Sequence, residues 1–102
     1  MKKLRNISPG EVLQEEFLKP LNISQAKISK ELGITPTRIS EIINGNRRIS
    51  ADTAVRLSAF FGNSPKFWLG LQNDYEIENE LIKNSFDLKQ INRLKIGDFI
   101  KF

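Results

Sequence analysis

The side chains of this sequence best suited to chemistry are gathered in one stretch, ELGITPTRISEIINGNRR, residues 31–48. Thr35, Thr37 and Ser40 bring hydroxyls that both donate and accept. Arg38 brings a guanidinium able to bind guanine O6 and N7 bidentately, a contact worth roughly 1–3 kcal/mol of discrimination. Glu41 suits a cytosine amino group, or a pair with Arg38 three residues earlier. The pairing role is favoured, because acidic base readers are the rarer case. Asn44, Asn46, Arg47 and Arg48 follow and suit phosphate oxygens, contacts that set register without reading sequence. Gln25, at the start of the preceding helix, is expected on a phosphate as well. Together these residues point to recognition of double-stranded DNA.

Those side chains need two rods and a sharp turn between them. Ser24 caps a short helix, QAKISKEL, and Gly33 ends it in the left-handed conformation that a Cβ penalises. Thr35 caps the next helix with Pro36 at its first position, where no backbone bond is lost. Ile39, Ile42 and Ile43 form its inward face, and Asn44-Gly45 end it. This is helix-turn-helix spacing, with Ala26 and Ser29 small where two helices would cross. Taken singly, each feature has a plainer reading. Thr35-Pro36 is an efficient helix start, Gly45-Asn46 an ordinary stop, and Arg47-Arg48 a solvated pair. The twenty-residue combination with its basic flank favours DNA binding over an incidental helical hairpin.

Around the motif the same punctuation recurs. Ser8-Pro9-Gly10-Glu11 has a capping-box pattern and opens a helix that Pro20 ends. Ser50 caps ADTAVRLSAFF, which stops at Gly62, and Asp52 opposes the dipole in its first turn. Ser64-Pro65 opens a fifth helix carrying Phe67, Trp68 and Leu71. Five helices in about 75 residues, joined by short links, predict an all-α fold with a compact five-helix DNA-binding domain over residues 1–75. Residues 76–102 are expected to form a C-terminal extension for dimerisation or partner binding. EIENELIKNS continues the fifth helix, whereas LKIGDFIKF alternates like a short strand pair or an ordered arm. One recognition helix contacts too few base pairs for an operator, so a two-fold dimer is expected. Trp68, Leu71, Tyr75 and Leu81, with Phe86, Phe99 and Phe102, are its expected interface, a core position being the other reading for Trp68.

Composition narrows the alternatives. The chain has 102 residues, no cysteine and no histidine, so thiolate chemistry and the commonest general base are missing. No phosphate-binding loop, dinucleotide fingerprint or metal-spaced carboxylate cluster is found, and neither an enzyme nor a cofactor or metal is expected. The net charge of +4 lies entirely within residues 1–75, which suits a polyanion partner. No signal-peptide core or membrane-length apolar run occurs, so a soluble cytoplasmic protein is expected.

The segment from Ser8 to Ile77 resembles the HigA/VapI-type antitoxins of the lambda-repressor-like helix-turn-helix class. The resemblance is carried by Pro9 to Leu21, by TRISEIINGNRRI at Thr37 to Ile49, by ADTAVRL at Ala51 to Leu57, and by FGNSPKFWLGLQ at Phe61 to Gln72. It implies a bacterial homodimeric repressor of its own operon and a RelE-like ribonuclease toxin as partner. It also implies operator contact by Thr35, Thr37, Arg38 and Ser40, with Gln25, Asn44 and Arg47 near phosphates. Tyr75-Glu76-Ile77 departs from the family's acidic-leucine pair, and nothing after Ser85 matches. A stand-alone regulator without a toxin, and a protein-interaction module that has lost DNA binding, are the competing readings.

Overall fold

A computed structural model of the chain describes residues 5–95. Five of the helices begin where a short hydroxyl side chain satisfies a free backbone N–H. Ser8 accepts from Glu11 N at 3.2 Å and opens α1 (Pro9–Val12). The chain then widens into a π-helical turn (Leu13–Leu18), in which Lys19 N–H donates to the Gln14 carbonyl at 3.0 Å. That widening was not foreseen, since its apolar spacing reads as ordinary helix. Ser24 caps α2 (Gln25–Leu32), Thr35 caps α3 (Pro36–Ile43), Ser50 caps α4 (Ala51–Phe61) and Ser64 caps α5 (Pro65–Lys83). A short α6 (Ser85–Lys89) follows directly. The fold is all-helical among the described residues, as expected. The boundary expected at residue 75 falls inside α5, so head and extension share one helix.

The core lies between α1, α2, α3, α4 and the first half of α5. Leu13, Leu18, Ile28, Leu32, Ile34, Ile39, Ile42, Ile49, Leu57 and Trp68 are all buried there. Each such aliphatic side chain contributes roughly 1.5–3 kcal/mol by leaving water. Two devices hold the motif's angle. Gly33, at φ 69, makes the turn, and the buried Ser29 hydroxyl donates to the Ile34 carbonyl across it. Gly10 lets α1 touch the end of α3: a Cβ there would stand 1.7 Å from the Ile42 carbonyl oxygen. The close crossing is therefore at Gly10. Ala26, expected at such a crossing, is exposed.

Trp68 corrects one expectation. It is fully buried within its own chain, its Nε1–H donating to Asn63 Oδ1 at 2.9 Å and its ring 4.8 Å from that of Phe17. A side chain already sealed by its own protomer has no surface left for a dimer interface. Leu71 also packs against this core and is half-buried, and Tyr75 is half-buried. Among the described residues expected at the interface, Phe86 is exposed and so is Leu81, at 52%. It sits among Ile77, Ile82, Phe86, Leu88, Ile91 and Leu94, which are exposed as well. Beyond Gln72, α5 buries no residue. It carries an apolar arm out from the head, and the radius of gyration is 17.9 Å against about 13 Å for a compact chain of this length. Leu94 and Lys95 have no regular structure. The rest of the expected strand pair or arm, with Phe99 and Phe102, lies outside the described residues.

Candidate nucleic-acid interface

Helix α3 lies on the surface with its isoleucines turned inward. Ile39 and Ile42 are buried, Thr37 is exposed, and Arg38, Ser40 and Glu41 are half-buried. The turn at Gly33 and the Thr35 cap present the first turn of α3 to solvent. Thr35 Oγ1 accepts from Arg38 N at 3.1 Å, which leaves its hydroxyl proton for an outside acceptor. Ser40 Oγ accepts weakly from Asn44 Nδ2 at 3.4 Å. Gln25 and Asn46 are exposed, Gln25 opening α2 and Asn46 just beyond α3. Thr37, Ser40 and Asn44, spaced three and four apart, share one face of α3.

The arginines are arranged less freely than the sequence suggests. Arg38 does not pair with Glu41. Its Nη2 donates to Asp52 Oδ2 at 3.2 Å and to Thr53 Oγ1 at 2.8 Å, both on the first turn of α4. Asp52 also accepts from Arg56 Nε at 3.0 Å, and Arg56 Nη1 donates to the Leu32 carbonyl at 2.8 Å. The Asp52 carboxyl is held below its ordinary pKa by Arg56 first and by Arg38 in addition, against partial desolvation. Asp52 therefore does more than oppose a helix dipole: it joins α4 to α3 through Arg38 and holds Arg56, which reaches the last residue of α2.

Glu41 instead accepts from Arg47 Nε at 2.7 Å, because the chain folds back beside α3 after Gly45. This pairing takes the place of the one expected with Arg38. Arg48 is paired as well: its Nε and Nη2 donate to Glu76 Oε2 and Oε1 at 2.8 and 3.3 Å, which ties the loop to α5. Arg48 holds the Glu76 carboxyl below its ordinary pKa, and Gln72 contributes from the same helix. Gln72 is buried. Its Oε1 accepts from Ile49 N at 2.7 Å and its Nε2 donates to Glu76 at 2.9 Å.

Sequence reasoning missed the structural roles of Asp52, Arg56, Gln72 and Glu76. Two of these links had a usable signal, since Asp52–Arg56 and Gln72–Glu76 are four apart on one helix. The Arg48–Glu76 link spans 28 residues and leaves no local trace. Among the described residues, no group of three His, Cys, Asp or Glu is placed to hold a metal, and no helix is long and apolar enough to cross a membrane.

Known proteins agree with this geometry. The helix-turn-helix family model matches residues 15–68, just over half of the chain. Virulence-associated protein I of Dichelobacter nodosus is 44% identical over 72 residues, covering 71% of this chain and 67% of that protein. Antitoxin HigA-1 of Vibrio cholerae is 34% identical over 93 residues, covering 82% of this chain and 88% of its own. Among solved structures, the Pseudomonas aeruginosa antitoxin HigA with higBA promoter is similar at a TM-score of 0.85 and 35% identity, covering 89% of this chain and 100% of that one.

Proposed function

We propose, because this chain belongs to the helix-turn-helix family and within it to the HigA/VapI-type antitoxins, that it is a sequence-specific repressor which binds double-stranded operator DNA ahead of its own gene. The observation that carries this reading is the presentation of α3: Ile39 and Ile42 are buried while Thr37, Ser40 and Asn44 share the outer surface. Thr37 and Ser40 read base edges in the major groove, and the Thr35 hydroxyl adds a donor at the helix start. Arg38 joins them only on leaving Asp52 and Thr53. Gln25, Asn44, Asn46 and Arg47 hold phosphates and fix the register.

The protein acts by binding rather than by catalysis, in the cytoplasm, as a homodimer whose two α3 helices reach half-sites about 34 Å apart. The exposed apolar side chains from Ile77 to Leu94 supply the dimer contact, and residues 76–102 form the dimerisation and partner-binding extension. Its protein partner is a RelE-like ribonuclease toxin encoded beside it, which it neutralises. That part rests on the family alone.

Footprinting on the DNA upstream of the gene tests the proposal. The expected result is protection of two related half-sites one helical turn apart. Equal binding to that DNA and to a random duplex would leave only a nonspecific binder. Co-purification of the neighbouring gene product tests the toxin.

A further inference from the structure

The three arginines near α3 differ in which nitrogens they have already committed. A guanidinium offers two forks for bidentate contact: the side edge, Nε with Nη2, and the end, Nη1 with Nη2. Arg38 has donated through Nη2 to two acceptors, and both of its forks include that nitrogen. Arg48 has committed its side edge to Glu76. Arg47 has committed Nε alone, to Glu41 Oε1 at 2.7 Å. Its end fork makes no hydrogen bond among the described residues, and its side chain is 49% exposed. Arg47 and Arg48 therefore each keep the end fork for a phosphate, and of the two only Arg47 is held by a carboxylate on α3 itself.

We infer that Glu41 is a positioning residue for Arg47: by accepting the Nε proton it fixes the plane of the guanidinium and aims the Nη1/Nη2 end at a DNA phosphate. Glu41 stands on α3 itself, so the fork is held in register with the helix that reads the bases. A negative charge beside a DNA-binding surface otherwise opposes a polyanion, and this pairing gives it a use. The inference rests on the DNA-binding function proposed above and adds one residue and its role.

The test separates charge from position. Glu41→Gln and Glu41→Ala remove the same charge, but only the glutamine keeps an acceptor within reach of Nε. Binding of each variant to a duplex carrying the upstream DNA is measured by fluorescence anisotropy, beside the wild type, with circular dichroism confirming the fold. The expected result is that E41A binds roughly two- to fivefold more weakly than E41Q, the scale of one exposed pair. The difference disappears when both are combined with Arg47→Ala. Equal affinities for E41Q and E41A overturn the inference. So does a difference that persists without Arg47, because position 41 would then touch the DNA itself. Failure of the wild type to bind any duplex overturns the proposed function, and the inference falls with it.

Discussion

Glu76 accepts two hydrogen bonds from Arg48 while Gln72, one turn earlier on α5, accepts the Ile49 N–H. The loop that leaves the recognition helix is thus fastened to the helix carrying the exposed arm. Side chain and backbone are both held, the backbone bond in the buried interior.

Gln72→Ala removes the only hydrogen-bond partner found for a buried N–H among the described residues. An orphaned buried donor costs about 1–3 kcal/mol. Urea denaturation is expected to show a loss in that range. Arg48→Ala, at a largely exposed pair, is expected to cost under about 1 kcal/mol. Similar losses for both would show that Gln72 is no anchor.

Two glycines predict opposite signs. A Cβ at Gly10 would stand 1.7 Å from the Ile42 carbonyl oxygen, so Gly10→Ala must push α1 and α3 apart. The expected loss is about 1–3 kcal/mol, as for other overpacked sites. Gly70, inside α5, has nothing within 4 Å of an added Cβ. Gly70→Ala is expected to stabilise by about 0.4–1 kcal/mol. Thermal denaturation of the pair reads both signs.

Leu81→Glu places a charge in the middle of the exposed apolar arm. Analytical ultracentrifugation is expected to find the wild type dimeric and the variant monomeric, both with unchanged helix content. Loss of the second half-site should weaken operator binding by at least roughly tenfold. A wild-type monomer at micromolar concentration would reject the dimer.

Acid should lower the protein's stability modestly through its paired surface carboxylates. Asp52 is depressed mainly by Arg56, Glu76 by Arg48 and Glu11 by Arg5. A carboxyl whose folded pKa lies below its unfolded value adds stability above the unfolded value. That contribution is lost as pH falls through the ordinary carboxylate range to the folded pKa. With no histidine in the chain, stability should be nearly flat between about pH 6 and 8. Chemical denaturation across the pH range checks both features, and Asp52→Asn should show a shallower acid loss.

The sequence by itself determined where α2 to α5 begin and where α2 and α4 end. Ser24, Thr35, Ser50 and Ser64 each bond an N–H three residues ahead, and Gly33 and Gly62 each stop a helix at positive φ. Such signals act within one turn of backbone, so they survive in a linear string. The inward isoleucines of α3 and the outward Thr37 followed from the same helical period. Tertiary structure decided the partner of every arginine near the motif. Arg38 meets Asp52 across 14 residues, and Arg48 meets Glu76 across 28. It also decided that Trp68 is core and that Gly10 is the point of closest approach. These depend on which faces of separate helices meet, and no local rule of spacing encodes that.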